Sequence, residues 1–587
     1  MTSSSGYAGL EHNKTDDSGT LTITDNNNDG KLTANGGYHG AGIGGSSEKD
    51  GQVTITGGEI IANGGSLGAG IGGGAGDTDA VGGDGDVTIS GGTITATGGS
   101  LGAAGIGGGA YGNGTVTVTD GDITAKATGR YGAGIGGGYG AKPKPSGTLI
   151  GGNGTVTISG GTITEASGGH MAAGIGSGFQ GLGTVTIEGD AVIKNAQGGA
   201  AGAGIGSGTR GDSEIIIRGD AVIENAESSG NGAGIGSGQG TTSYGALVPS
   251  VGNVTIEGNA RIENAKSGSG GSGIGGGFIG IGNVIIRGNA QIGNVTGGDE
   301  GAGIGGGAHG TGDVTIEGNV TIENAQGGAG AAGIGGGAET KPDTEDTRNK
   351  VSIKSTEAGS PDITATGGGA YKDDNVSLPG AAAIGSGSVA DVANEVKSDI
   401  TIEGKVTINA TGGGDVAIGD STNGETQFSG LQVGTTITRR NAKGDDVSQP
   451  GDVVREQAPT ETEAAEAPST GSVEVERPVT VEGLYVTNVL GKQITHTCTQ
   501  NGTTLTIRAN GIVASAHLTL GMVRTLKAQG VKTLVFTTLL SRSTTLSVDA
   551  LLAAEPDAPD ETAVVWTHTG PRAALTIDGA DHSALLK

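Results

Sequence analysis

A glycine-rich motif, written as variants of Gly-Ala-Gly-Ile-Gly-Gly-Gly, recurs twelve times along this chain of 587 residues. The spacing is 30 residues between neighbouring copies from Ile175 to Ile235 and again from Ile274 to Ile334, with longer gaps where loops are inserted. Each copy is centred on one residue, the motif isoleucine: Ile43, Ile71, Ile106, Ile135, Ile175, Ile205, Ile235, Ile274, Ile304, Ile334, Ile384 and Ile418. A fixed period of this length predicts a solenoid, in which each repeat stacks on its neighbours and none folds alone.

Each repeat holds three short strand-like pieces. The first is Val-Thr-Ile, as at Val156–Ile158, the second is built around one isoleucine such as Ile94 or Ile193, and the third is Ala-Gly-Ile-Gly. Apolar residues alternate with polar ones in all three, which places one side of each piece inward. Gly-Gly, Gly-Asp and Gly-Asn pairs between them supply the turns. The pattern predicts an all-β fold, a right-handed, three-sided parallel β-helix of about twelve coils.

Equivalent residues of successive coils should stack into ladders. Inside the rod we expect Val and Ile on the first side, Ile on the second, and Ala then Ile on the third. A further ladder of asparagines along the rod is predicted at Asn195, Asn225, Asn264, Asn294 and Asn324. Outside, the residue after the first piece alternates in sign over Glu188, Arg218, Glu257, Arg287 and Glu317, which predicts cross-strand ion pairs that favour the correct register.

The glycines of the third piece are predicted to form an outward face, represented by Gly134, Gly136, Gly204 and Gly206. Glycine inside a strand costs about 0.5–1 kcal/mol relative to alanine, so its recurrence needs a reason. One interpretation is that a flat ligand or a second rod lies against the bare backbone. The other is tight corner geometry that requires positive φ, and the sequence leaves both open.

Aromatic residues and histidines flank this glycine piece and are the candidate ligand-binding residues. They are Tyr38, Tyr111, Tyr131, Tyr139, His170, Phe179, Phe278 and His309. Long insertions begin just past the same piece, and loops collected at one corner of a rod form a rim of the kind solenoids use for binding.

Charge and composition exclude several classes of partner. The net charge of −28 and the pI near 4.6 argue against nucleic acid and anionic membranes. No apolar run is long enough to span a bilayer, so membrane insertion is not expected, and no signal or anchor segment is recognised in this chain. Cys498 is the single cysteine, which excludes an intrachain disulfide and predicts a small buried apolar residue.

Cofactors are not expected, with one exception left open. The acidic loop that carries Asp77, Asp79, Asp84 and Asp86 could bind Ca²⁺ through oxygen ligands, or could be a solvated loop. Enzymes that act on polysaccharides also use parallel β-helices and need paired carboxylates, or Ca²⁺ beside a base. Asp120 and Asp122 share one turn without a basic partner at matching spacing, so the sequence favours a protein that is not an enzyme.

The repeats end before a second region of ordinary composition. We predict a β-helix domain over 1–432, a Pro-, Glu-, Thr- and Ala-rich linker over 433–471, and a small α/β module over 472–587. Strand patterns within the module occupy Thr503–Ile507, Thr533–Thr537, Thr544–Val548 and Ala563–Thr567, with a helix over Met522–Ala528 that ends at Gly530.

The repeat Gly154–Thr164, followed by Ala-Gly-Ile-Gly, resembles the glycine-rich β-helix repeats of secreted surface proteins of Gram-positive, gut-type bacteria. The stretch Thr525–Phe536 is similar to modules at the ends of such proteins. The resemblance implies a secreted or cell-surface protein that binds glycan or host-matrix ligands, and it supplies no catalytic residues. We therefore predict a non-catalytic adhesin. The alternatives are a stalk or scaffold that self-associates through the glycine side and, less favoured, a polysaccharide lyase or glycoside hydrolase.

Overall fold

The computed structural model describes most of the chain. Its described residues are 1–15, 19–27, 29–76, 82–140, 152–243, 246–340, 348–372, 377–390, 396–420, 427–449, 451–454, 477–479, 481, 483–488, 492–509, 513–538, 543–556, 558–569 and 572–586. Contacts within the chain divide it into two units, Met1–Ala458 and Pro459–Lys587. The first unit is a parallel β-helix and the second is a small α/β unit.

The β-helix has three walls, each built of parallel strands that pair from one coil to the next. Wall 1 consists of Leu21–Ile23, Gly51–Ile55, Gly85–Gly98, Gly114–Ala127, Gly154–Ile158, Gly183–Ile187, Ser213–Ile217, Ser250–Ile256, Gly280–Gly288, Gly312–Gly318, Arg348–Lys354, Lys397–Glu403 and Gln427–Ser429. Wall 2 consists of Lys31–Asn35, Glu59–Asn63, the second halves of Gly85–Gly98 and Gly114–Ala127, Thr162–Ser167, Val192–Ile193 with Ala196–Gly198, Val222–Ser228, Arg261–Ser267, Gln291–Thr296, Thr321–Gln326, Asp362–Thr366, Thr407–Thr411 and Thr436–Arg440.

Wall 3 is a sheet of 13 two-residue strands. They are Leu10–Glu11, Ile43–Gly44, Ile71–Gly72, Ile106–Gly107, Ile135–Gly136, Ile175–Gly176, Ile205–Gly206, Ile235–Gly236, Ile274–Gly275, Ile304–Gly305, Ile334–Gly335, Ile384–Gly385 and Ile418–Gly419. The first strand adds one rung to the predicted twelve. Leu10 pairs with Ile43 and occupies the place of a motif isoleucine, but Glu11 and His12 stand where the motif has glycines, so the motif did not reveal it.

The core follows directly from the alternation of residues. In one coil Val87 and Ile89 of wall 1, Ile94 and Ala96 of wall 2, and Ile106 of wall 3 are all at most 1% exposed. The same positions are filled by Val, Ile and Ala in nearly every coil, which makes one continuous apolar column. The predicted all-β parallel solenoid is therefore confirmed.

The glycines of wall 3 are enclosed by the chain itself, so the prediction of an open glycine face is wrong. A Cβ atom on Gly134 would lie 2.6 Å from the backbone nitrogen of Ser167 and 2.7 Å from the carbonyl oxygen of Gly174 in the next coil. Gly204 is enclosed in the same way by Glu227 and Gly234. All four glycines assigned to the face are buried.

The glycine after each motif isoleucine is required by its backbone conformation. At Gly136 and Gly206 φ is 128° and 135°, and the twelve equivalent glycines lie between 126° and 144°. A residue with a side chain rarely adopts this conformation. Corner geometry, the second interpretation left open by the sequence, explains the motif.

The asparagine ladder lies on the outer surface of wall 2 and not inside the rod. Asn225 and Asn264 are exposed, and the Asn264 amide donates to the Asn225 side-chain oxygen (3.2 Å) and to the Glu224 carbonyl (3.1 Å). A β-bulge causes this placement. In the earlier strand, one residue separates the inward Ile123 from the inward Ala125. In the strands from Thr162–Ser167 to Thr321–Gln326, two residues lie between the inward Ile and the next inward residue. In these strands two consecutive side chains therefore point outward.

The charge ladder beside wall 1 is longer than the sequence indicated. Arg218 donates to Glu188, and Arg287 donates to Glu257, each through Nε at 2.8 Å. The register then continues past Glu317 to Lys354 and Glu403. A loop insertion between Glu317 and Lys354 hid this continuation.

The rod extends beyond the predicted boundary at 432. Thr436–Arg440 pairs with Thr407–Thr411, and the chain then turns back so that Val453 bridges to Thr436. Arg439 and Asp452, each 1% exposed, form an ion pair with Nε–Oδ2 at 3.0 Å at this end of the core.

In its described residues the second unit has two sheets and two short helices. One sheet orders Arg477–Pro478, His496–Asn501, Thr504–Ala509, Thr533–Thr537 and Ser543–Ser547, and the other orders Gln493–Ile494, Tyr485–Thr487, Val513–Thr519, Ala563–Thr569, Arg572–Ile577 and Ala580–Asp581. The helices are α1 (Leu520–Ala528), capped by the Thr519 hydroxyl, and α2 (Val548–Ala554), with a 3₁₀ turn at Ser583–Leu585. The α/β character is confirmed. Within the part of the chain described, no helix has the length and apolarity needed to cross a membrane.

Candidate functional site

The site is built on the corner that follows each wall 3 strand. The corner position, five residues after the motif isoleucine, has φ between 54° and 70° in seven coils. Its occupants are Glu48, Tyr111, Gln180, Arg210, Ile279, His309 and Glu339. A side chain in this left-handed conformation costs about 1–2 kcal/mol. The equivalent position is Gly76, Gly140 and Gly240 in three other coils, and none of these glycines has a positive φ.

A ladder of backbone hydrogen bonds holds this corner. The Tyr111 N–H donates to the Tyr139 carbonyl (3.0 Å), the Arg210 N–H to the Gln239 carbonyl (2.8 Å), and the other five corner residues repeat the bond to the next coil. The loop before wall 3 is joined to the same corner, because the Phe179 N–H donates to the Tyr131 carbonyl (2.9 Å). The backbone therefore fixes the direction of each corner side chain.

Four of the predicted aromatic residues meet at this corner, and we call them the aromatic corner: Tyr111, Tyr131, Tyr139 and Phe179. Ring centroids are 5.1 Å apart for Tyr111–Tyr139, 4.5 Å for Tyr131–Tyr139 and 5.5 Å for Tyr131–Phe179. All four rings are half-buried and come from three successive coils. Gly102 makes room for them, since a Cβ there would lie 2.9 Å from the Cβ of Tyr139.

The remaining candidates lie elsewhere on the rod. Phe278 contacts His309 (5.3 Å between ring centroids) further along the same corner, and Tyr38 contacts His39 (4.8 Å) near the first coils. His170 is exposed and takes part in none of the ring contacts found among the described residues.

A groove of about 390 Å³ separates the aromatic corner from Phe278. Phe179 and Phe278 line its ends, and Arg210, Gln239 and Thr241 contribute polar groups. Its lining is mixed, so the groove offers both apolar contacts and hydrogen-bonding groups to a small ligand. We call it the corner groove.

Two arginines that the sequence analysis did not select as ligand-binding residues flank the aromatic corner. The Arg130 guanidinium lies 5.6 Å from the Tyr131 ring centroid, and that of Arg210 lies 5.9 Å from the Phe179 centroid. Arg210 Nη2 also donates to the Thr241 hydroxyl (3.1 Å). In the sequence, the only indication of this placement is their distance from the motif isoleucines: Arg130 lies five residues before Ile135, and Arg210 lies five residues after Ile205.

The Tyr139 phenol is neutral at physiological pH. Burial raises the pKa of Tyr139 above its ordinary value of 10.0, and the neighbouring Tyr111 and Tyr131 raise it further. Tyr139 therefore offers a hydroxyl that both donates and accepts hydrogen bonds, beside ring faces that suit apolar contact.

The two predicted Ca²⁺ ligands that the structure describes, Asp84 and Asp86, bind different partners. Asp77 and Asp79 lie outside the described residues. Asp84 accepts the Asn113 N–H (2.7 Å), and Asp86 forms an ion pair with Lys14 (3.1 Å). Burial raises the pKa of Asp84 from 3.8, which its bonds from Asn113 partly oppose. No cluster of three potential metal-binding His, Cys, Asp or Glu residues occurs in the described part of the chain.

Comparison with known proteins is consistent with this fold. Residues 27–47, 53–75, 87–110 and 156–179 match the family described as Beta helix repeat. No curated protein and no solved structure matches the chain significantly. The matched segments span the first coils and Tyr38, and the last of them also contains His170 and Phe179.

Proposed function

We propose that this protein is a non-catalytic surface protein, secreted or held at a bacterial cell surface, whose aromatic corner binds glycan. The observation that carries the proposal is the contact of four half-buried rings over three coils. Ring faces that stay partly open to solvent suit the C–H faces of sugars, and the neighbouring hydroxyls and amides suit sugar hydroxyls.

The rigidity of the platform supports the same function. Main-chain bonds from coil to coil fix Tyr139 and Phe179, so a ligand would order few side chains on binding. Tyr111 is the member of the aromatic corner with left-handed backbone (φ 70°), a strain that persists only where the surrounding structure holds it.

The test is a glycan array probed with the full chain and with the triple variant Tyr131→Ala, Tyr139→Ala, Phe179→Ala. We expect the variant to lose retention while its circular dichroism stays unchanged. Tyr7→Ala, at a side chain 58% exposed outside the aromatic corner, is the matched control and should bind normally. Tyr139→Phe keeps the ring and should retain most of the binding. Equal retention by the triple variant would refute the proposal.

Self-association is the alternative that loses most support, because the glycines on which it depended are enclosed. Sedimentation of the full chain over a range of concentrations separates the two functions. A monomer that binds glycan fits the proposal, and concentration-dependent assembly without glycan binding fits a scaffold.

A polysaccharide-active enzyme is the second candidate, and a specific feature favours it. A groove of about 570 Å³ between walls 1 and 2 is lined by Glu59, Asp120 and Asp122. Asp120 accepts the backbone N–H of Gly121 at 2.7 Å, so part of its acceptor capacity is already used. Incubation with a retained polysaccharide should leave the chain length of that polysaccharide unchanged, and shortening would favour the enzyme.

A further inference from the structure

Arg130 and Arg210 are exposed cations that have no carboxylate partner among the described residues. Among the other arginines that the structure describes in the rod, only Arg440, which donates to the Gly444 carbonyl, likewise lacks an ion pair with a carboxylate. Five other arginines pair with Asp or Glu at 2.5 to 3.3 Å: Arg218, Arg261, Arg287, Arg348 and Arg439. The chain has 61 acidic residues against 33 basic ones, so carboxylate partners are plentiful.

The two arginines belong to one continuous line of contacts. Arg130 lies over Tyr131, Tyr131 contacts Phe179, and Arg210 lies over Phe179. Guanidinium groups within about 6 Å of a ring centroid are held by the ring and keep their N–H donors free at its edge. Arg130 and Arg210 lie two coils apart, which is about 10 Å along the rod and comparable to a disaccharide.

Arg210 also occupies a costly backbone position. Its φ is 64°, and its side chain borders the corner groove. The same backbone recurs at six other corner residues, so the argument for a ligand rests on the side chain. An exposed guanidinium without a carboxylate beside an open groove has N–H donors that an anionic ligand group can satisfy.

We infer that the ligand of the aromatic corner is an acidic glycan, whose carboxylate or sulfate groups bind Arg130 and Arg210 beside the rings of Tyr131 and Phe179. This inference rests on the proposed function and adds the chemical class of the ligand. Because the net charge of −28 repels a polyanion, binding depends on these local donors.

Two matched pairs of polysaccharides test the inference with the full chain. Polygalacturonate is compared with its fully methyl-esterified form, and dextran sulfate with dextran. We expect the acidic member of at least one pair to bind about tenfold or more tightly than its neutral partner. The pair that responds distinguishes carboxylate from sulfate as the bound group.

Arginine variants link the effect to the site. Arg130→Gln with Arg210→Gln should weaken binding of the acidic member at least tenfold and leave that of its neutral partner unchanged. Arg348→Gln, which removes an arginine paired with Asp399, is the control and should bind normally. Equal binding of acidic and neutral members, unaffected by the double variant, would overturn the inference and leave glycan binding intact. Absence of binding to every polysaccharide here and on the array would remove the proposed function as well.

Discussion

At the scale of single residues, the β-helix uses two kinds of positive-φ backbone, one at glycines and one at residues with side chains. The glycine after each motif isoleucine lies near φ 130°, where only glycine fits, and it makes the turn out of wall 3. The corner residue four positions further on lies near φ 60° in seven coils, where it carries a side chain. Glycine therefore serves the packing of the rod, and the left-handed corner positions direct side chains such as Tyr111 and Arg210 outward from it.

Gly134→Ala is predicted to destabilise the rod by about 1–3 kcal/mol, in the range of overpacked cores. The new methyl group would lie 2.6 Å from the Ser167 nitrogen, and backbone on both sides leaves it no room. Thermal unfolding followed by far-ultraviolet circular dichroism checks this, and the midpoint of the variant should be lower than that of the wild type.

The control for that change is Gly369→Ala. Gly369 is exposed, and a Cβ there would have no atom within 4 Å. The thermal midpoint of this variant should equal or slightly exceed that of the wild type, because alanine lowers the conformational entropy of the unfolded chain. If both variants melted alike, the glycines of wall 3 would not be enclosed as described.

At the scale of elements, ladders of like positions give the β-helix its register. The charge ladder alternates in sign from Glu188 to Glu403, and each exposed pair contributes under about 1 kcal/mol. The apolar columns supply most of the stability, and the ion pairs disfavour slipped pairings. The end of the rod differs, because there an ion pair is buried.

Asp452→Ala is predicted to loosen the last coil. It leaves the Arg439 guanidinium buried without its carboxylate, a change that typically costs about 3–5 kcal/mol. Because coils of a solenoid open from the ends, hydrogen exchange should accelerate at Thr436–Arg440 and much less in central coils. Arg439→Met with Asp452→Leu should restore protection. Unchanged exchange at Thr436–Arg440 in the single variant would contradict the prediction.

At the scale of the whole molecule, two units with separate cores lie in one chain. The β-helix has a core of Val, Ile and Ala, and the second unit has its own core around Trp566 and Phe536. Trp566 is the only tryptophan, and Cys498 is the only cysteine. Both therefore report on the second unit alone.

The Cys498 thiol is predicted to resist labelling until the second unit unfolds. Burial raises its pKa from 9.0 to about 11, so the reactive thiolate is scarce at pH 8. Thiol labelling and Trp566 fluorescence should change together on heating, whether or not the rod melts at the same temperature. Rapid labelling while Trp566 remains buried would show that the thiol is accessible in the folded unit.

The same shift predicts how stability depends on pH. The folded unit holds the thiol proton more tightly than the unfolded chain does, so its stability falls as pH rises from 9.0 towards about 11. Cys498→Ser lacks this titration and should flatten the change over that range.

Sequence by itself determined the class of fold, because a 30-residue period with alternating Val, Thr and Ile has one way to bury its apolar face. It also placed a strand at Thr533–Thr537 and most of α1, where local patterns and packing agree. The aromatic candidates were identified from their position beside the glycine piece, although nothing in the sequence grouped them.

Tertiary structure alone decided which way the glycines face and which side chains meet. Whether Gly134 is open or enclosed depends on the neighbouring coil, whose Ser167 lies 33 positions away in the chain. The contact of Arg130 and Arg210 with rings of a shared cluster likewise arises from stacking of coils. A periodic sequence shows what repeats within a coil, but the distance between coils is set only when the backbones pack. That distance closes the glycine wall and brings the rings of the aromatic corner into contact.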